Sequence, residues 1–270
     1  MRPRRTALMW SALLLALLAV YAISPLAYLE ERGIFAREYA PPAPTKPPYS
    51  RAELLIREID GEQVEAIFVP TDGPRPAPLV VYFHGNAEIQ DFKFHIVEEY
   101  GRLGFNILLP EYRGYSRSGG QPSQKAIQSD AAYFVDVIAK RPSVAPGRLV
   151  FHGRSLGGGA AADLARVRKP QAMILESTFT SVPAMVSELG IPEFMVKNKF
   201  QTDEVVKAAE FPMLVFHGDV DAVVPVSHGR SLRNLNSRVV YVEYHCAHNN
   251  LPGADKNDYW KRIGEFVKGI

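Results

Sequence analysis

Short apolar runs recur along the chain from Glu53 onward, and most end in Gly, Asp, Ser or Pro. Glu53 to Asp60 and Glu62 to Val69 flank Asp60-Gly61, which predicts an antiparallel pair joined by a tight turn. Leu79 to Phe83, Phe105 to Leu109, Leu149 to His152, Ala172 to Glu176, Met213 to Phe216 and Val239 to Tyr244 predict six more strands. Most of the stretches between them carry helical patterning. That alternation predicts the α/β class, with a mostly parallel central sheet covered by helices on both faces. One interval stands out: Ser177 to Glu210 is long and contains Val182, Met185, Leu189, Ile191, Phe194 and Met195.

The start of the chain follows a different pattern. Thr6 to Leu29 has no charged residue and is preceded by Arg2, Arg4 and Arg5, so residues 1–30 are expected to form a retained transmembrane signal anchor. The arginines favour a cytoplasmic N-terminus and place the remainder of the chain on the non-cytoplasmic side. The alternative is a secreted protein, cleaved near Val20-Tyr21-Ala22. Residues 31–50 include Ala40-Pro41-Pro42-Ala43-Pro44, read as a stiff linker holding a domain of residues 51–270 away from the bilayer.

Composition narrows the classes. With 31 basic residues against 29 acidic ones, less the three leading arginines, the body of the chain is nearly neutral, and no nucleic-acid partner is expected. A single cysteine excludes an intrachain disulfide.

The chemistry centres on Gly153-Arg154-Ser155-Leu156-Gly157, where a predicted strand runs into an Ala-rich helix. A serine on so sharp a turn is pushed into the open, and glycines on either side let strand and helix approach. Such a nucleophile needs a base, and the base needs a carboxylate to hold its tautomer. Both lie downstream, each at the end of a predicted strand, in His217-Gly218-Asp219-Val220-Asp221 and His245-Cys246-Ala247-His248. From the residues alone, Asp219 or Glu176 could replace Asp221 as the acid, and His245 could replace His248 as the base. Cys246 is a further candidate nucleophile. The repeated Phe-His-Gly endings at His84, His152 and His217 could mark a metal site, though structural histidines before tight turns fit them better, and neither metal nor cofactor is expected.

From about Arg51 to Ile270 the chain resembles the α/β-hydrolase superfamily, and more narrowly its Bem46-like, ABHD17-like and serine aminopeptidase S33-type branch. The resemblance rests on Tyr82-Phe83-His84-Gly85-Asn86-Ala87, Glu111-Tyr112-Arg113-Gly114-Tyr115-Ser116-Arg117-Ser118, the serine turn, Leu175-Glu176-Ser177-Thr178-Phe179-Thr180, His217 to Pro225 and His245 to Asn250. It implies Asp221 as acid, His248 as base, and the backbone N–H groups of Asn86 and Leu156 as oxyanion donors. The last block departs from the usual pattern in having Cys246-Ala247, without glycine, before the histidine. The implied function is a serine hydrolase that cleaves an ester or thioester through an acyl-enzyme on Ser155, tethered to a membrane and acting on lipid-like or acylated substrates. A serine aminopeptidase and a catalytically silent binding domain are the alternatives. Within this family the interval from Ser177 to Glu210 becomes a small lid, whose apolar residues either line an acyl pocket or pack the lid onto the core.

Overall fold

The computed structural model describes residues 32–251, 253 and 255–270. The expected membrane-spanning helix at 1–30 lies outside the described residues. Among the described residues no helix is long and apolar enough to cross a membrane.

The eight expected strands form one sheet: β1 (Glu53–Ile59), β2 (Glu62–Val69), β3 (Ala77–Phe83), β4 (Asn106–Pro110), β5 (Val144–Arg154), β6 (Ala172–Glu176), β7 (Met213–Gly218) and β8 (Val239–Tyr244), in the order β1-β2-β4-β3-β5-β6-β7-β8. β2 pairs antiparallel with β1 and with β4, and every later pairing is parallel. Asp60 and Gly61 both take positive φ, the geometry of a two-residue hairpin whose twist matches its strands. β4, β6 and β7 are buried along their whole length, which is why they read as unbroken apolar runs. β5 begins earlier than the sequence predicts, because Val144 already pairs with Ala77, and an irregularity holding Pro146 and Gly147 separates that pair from the one between Leu149 and Leu79.

Helices close both faces. Ile96 and Tyr100 of α1 (Phe94–Arg102) share a core with Tyr82, Val150, Ile174 and Phe216 of the sheet. On the opposite face, Phe134 of α2 (Gln124–Ala139) and Ala160–Ala162 of α3 (Leu156–Ala165) pack with Val81, Phe151 and Leu175. Each fully buried aliphatic side chain of this kind contributes about 1.5–3 kcal/mol.

The interval from Ser177 to Glu210 forms α4 (Val182–Val186), two 3-10 turns and α5 (Thr202–Ala208). Val182 joins the core, with Met185 and Ile191 packed against it, while Leu189 and Phe194 are 75 % and 84 % exposed. Two helices follow, α6 (Val226–Leu235) and α7 (Lys256–Phe266). Tyr259, Trp260 and Ile263 of α7 complete the core on the α1 face.

The Pro-rich segment is largely irregular, as its composition dictates, but its described part does not stand off from the domain. Phe35 is buried in the main core, edge-on to Phe200 at 6.3 Å, and Tyr49 is buried edge-on to Phe94 at 5.2 Å. The stiff linker expected at residues 31–50 is thus packed against the domain through these two aromatics, with the prolines lying between them.

Candidate active site

Ser155 stands where β5 turns into α3, with φ 53° and ψ −119°. This strained turn is held from several sides: the Ser155 N–H donates to Glu176 O (2.8 Å) and the Thr178 hydroxyl donates to Ser155 O (2.7 Å). The flanking glycines are required by close approach. A Cβ on Gly153 would lie 2.0 Å from Gly157 O, and one on Gly157 would lie 2.2 Å from Phe83 O.

Ser155 Oγ lies 3.1 Å from His248 Nε2, and His248 Nδ1 lies 2.7 Å from Asp221 Oδ2. A carboxylate only accepts, so Nδ1 carries the proton and Nε2 presents its lone pair to the serine hydroxyl. The other Asp221 oxygen accepts the N–H groups of Val223 and Val224, each at 2.8 Å. Burial pushes the Asp221 carboxyl up, but the hydrogen bonds from His248, Val224 and Val223 more than offset it, so the group stays ionised below the usual carboxylate range. His217 sits beneath this loop, Nε2 at 2.8 Å from Val224 O. Burial holds it neutral, so its ring donates that proton and pins the loop.

The remaining candidates separate cleanly. Asp219 and His245 pair with each other at 3.0 Å on the exposed surface. Glu176 accepts from the Tyr259 hydroxyl (3.0 Å) and faces Arg154 Nε at 3.2 Å. His84 is bound to Glu111 at 2.7 Å and His152 to the Tyr100 hydroxyl at 2.8 Å, so the three Phe-His-Gly histidines each serve a separate partner. Cys246 is buried, and that burial raises its thiol, which disfavours the thiolate.

Leu156 opens α3, where the first amides have no intrahelical acceptor. Asn86 borders the cavity beside Ser155, and its side-chain carbonyl accepts from Ala36 N–H (2.7 Å), the Tyr115 hydroxyl (2.8 Å) and Ala87 N–H (3.0 Å).

Sequence reasoning missed a charged knot beside the site. Arg154 donates to Glu88 (2.6 Å), His248 O (3.0 Å) and Asn249 Oδ1 (2.8 Å), joining three segments distant in sequence. Glu88 also accepts Gly85 N–H (2.7 Å) and pairs with Lys93 (2.9 Å). Burial pushes Glu88 up, yet Lys93 and Arg154 together bring it down to about 2. Arg154 was visible inside the serine turn, but no spacing signal connects it to Glu88.

A cavity of about 560 Å³ opens on Ser155 and His248. Phe92, Ile96, Val223 and Leu251 form its apolar side, and Glu88, Lys93 and Arg154 its charged side. None of the six apolar residues expected of the lid lines it, because the interval from Ser177 to Glu210 packs onto the core beside α3. Of the two readings of that segment, Val182, Met185 and Ile191 follow packing onto the core, and the exposed Leu189 and Phe194 follow neither.

Comparison with known proteins agrees with this architecture. The profile of the serine aminopeptidase S33 family matches residues 74–201. The chain is 29 % identical over 233 residues to protein bem46 of Schizosaccharomyces pombe, covering 81 % of this chain and 76 % of that one. It is 27 % identical over 232 residues to the α/β hydrolase domain-containing protein WAV2 of Arabidopsis thaliana, covering 79 % and 74 %. Among solved structures, the Pyrococcus furiosus esterase Pf2001 superposes with a TM-score of 0.63 at 18 % identity, over 85 % of this chain and 98 % of that chain. Est1E of Butyrivibrio proteoclasticus, solved with ferulic acid bound, gives 0.63 at 20 % identity over 79 % and 96 %. With the sheet order, the serine turn and these relatives in view, the chain has the α/β-hydrolase fold, and its sequence is similar to the Bem46-like proteins.

Proposed function

We propose that this hydrolase is a serine esterase or thioesterase acting through an acyl-enzyme on Ser155. The observation that carries the reading is the continuous chain from Ser155 Oγ through His248 to the ionised Asp221. His248 Nε2 takes the hydroxyl proton as Oγ attacks the substrate carbonyl, and Asp221 stabilises the resulting imidazolium. The amides of Asn86 and Leu156 receive the negative charge that forms on the carbonyl oxygen, each such donor supplying about 3 kcal/mol. His248 then returns the proton to the departing alcohol or thiol. Water, deprotonated by the same nitrogen, attacks the acyl-enzyme, releases the carboxylic acid and restores Ser155.

The cavity favours an acyl compound over a peptide with a free amino terminus. An aminopeptidase needs a carboxylate free to bind the substrate ammonium, whereas of the two carboxylates lining the cavity Glu88 is engaged by Lys93, Arg154 and Gly85, and Glu176 by Tyr259 and Arg154. The apolar side formed by Phe92, Ile96, Val223 and Leu251 supports a lipid-like or acylated substrate. The sequence of residues 1–30 supports membrane tethering with the catalytic domain on the non-cytoplasmic side. Membrane fractionation with protease protection of the full chain tests that placement.

A fluorophosphonate probe tests the chemistry. Labelling of the full chain at Ser155, lost in Ser155→Ala and His248→Ala, is the expected result. Absence of labelling in folded protein would refute it. Turnover of nitrophenyl esters rising with acyl length supports the lipid-like substrate, and preference for aminoacyl anilides would overturn it.

A further inference from the structure

The segment before β1 touches the site at more than one point. Ala36 lies in a tight turn, with φ −77° and Arg37 N–H donating to Phe35 O (2.8 Å). The turn aims Ala36 N–H at Asn86 Oδ1, 2.7 Å away. At the other end of the same loop, the Tyr49 hydroxyl donates to Gln90 O and accepts Lys93 N–H at 2.7 Å. Between these points Pro44 O accepts from Arg117 at 2.8 Å. The segment is anchored by Phe35 and Tyr49, each buried.

We propose that residues 35–49 are a strap that positions the oxyanion side of the active site, with Ala36 and Tyr49 as positioning residues acting through Asn86 and the loop to Lys93. The proposal rests on the reading of Asn86 as an oxyanion donor. Its physical basis is the narrow tolerance of preorganised donors: an amide contributes fully only when it already points to where charge develops. Loop 86–93 has little regular structure, a single 3-10 turn at Gln90–Phe92, so side-chain and strap contacts must fix it. The Asn86 carbonyl fastens to the strap, to Tyr115 and to its own neighbour Ala87, while Tyr49 pins the far end. The catalytic domain alone supplies only part of this set.

The test uses the full chain. Ala36→Pro removes one N–H at a backbone φ that proline accepts. Tyr49→Phe removes one hydroxyl, and Tyr39→Ser, at a 77 % exposed position of the strap, is the control. With a nitrophenyl ester, Ala36→Pro and Tyr49→Phe are each expected to lower kcat by about tenfold, a fraction of the loss on deleting an oxyanion donor outright. KM should stay within about twofold, as expected for an interaction made only in the transition state. Affinity for a phenylboronic acid, whose tetrahedral adduct on Ser155 places an oxygen in the same hole, should fall by a similar factor, and Tyr39→Ser should match wild type. Unchanged kcat and boronate affinity in folded variants would overturn the strap while leaving the serine mechanism intact. Raised KM with unchanged kcat would also overturn it, as would loss of folding in both variants, since the strap would then be a stability element alone. Failure of wild type to label at Ser155 would overturn the underlying reading as well.

Discussion

Glu88 offers a quantitative test of the charged knot beside the site. Its carboxyl falls from 4.5 to about 2 because the attraction of Lys93 and Arg154 outweighs the cost of burial. A group whose pKa is lower in the folded state adds stability above its unfolded pKa and loses it as pH falls towards the folded value. At 1.36 kcal/mol per unit, the full contribution at neutral pH is on the order of 3 kcal/mol, about 2 kcal/mol at pH 3.5 and about 1 kcal/mol at pH 3. The perturbation is Glu88→Gln, which keeps the size and an acceptor but removes the charge facing Arg154 and Lys93. Denaturant unfolding followed by tryptophan fluorescence, for wild type and variant in parallel from pH 7 to pH 3, isolates the difference from other titrating carboxylates. The difference should be largest at pH 5 to 7 and shrink steadily below pH 4.5. A gap under about 1 kcal/mol at pH 7, or one that stays constant down to pH 3, would refute the argument that these cations hold Glu88 ionised.

Other outcomes follow from the same geometry. Asp221→Asn preserves the shape of the acid loop but loses the charge opposite the imidazolium, and steady-state kinetics should show kcat reduced by about 10³ to 10⁴. Gly157→Ala forces a methyl group against Phe83 O, so thermal unfolding should reveal a loss of about 1–3 kcal/mol, with activity falling as α3 shifts. Leu189→Ser with Phe194→Ser should leave kcat/KM for short esters within about twofold, since both are exposed and neither lines the cavity. Cys246→Ser should likewise keep most activity, and any loss beyond about tenfold would revive the thiol as a participant.

The interior of the sheet was legible because β4, β6 and β7 are buried on both faces and therefore appear as plain apolar runs. The candidate site was legible to the extent that the fold displays it at strand ends: Ser155 follows β5, Asp221 follows β7 and His248 follows β8. Ordering by strand pointed to the three segments that hold these residues without any knowledge of contacts. The choice of Asp221 over Asp219 needed the family pattern, since the two differ only in which way the loop after β7 turns. What stayed hidden depends on encounters across sequence. Arg154 reaches Glu88 and Asn249 through space, and neither charge nor spacing announces it. The interval after β6 misled for a related reason: apolar composition cannot tell a residue that packs downward, such as Val182, from one that faces water, such as Phe194. The packing of the segment before β1 was not legible because five prolines between Pro41 and Pro48 dominate its composition, while two aromatics anchor it.

The buried Phe35 also separates two boundaries that are commonly treated as one. Composition places the start of the hydrolase unit near Arg51, after the last proline of the run, whereas packing places it at or before Phe35. A shortened chain beginning at Arg51 would leave the edge of Phe200 open to water and Asn86 short of one donor. Such a fragment would be expected to aggregate through the exposed aromatic surface and to turn over slowly even when soluble, so kinetic comparisons among relatives are sound only between chains that retain this stretch.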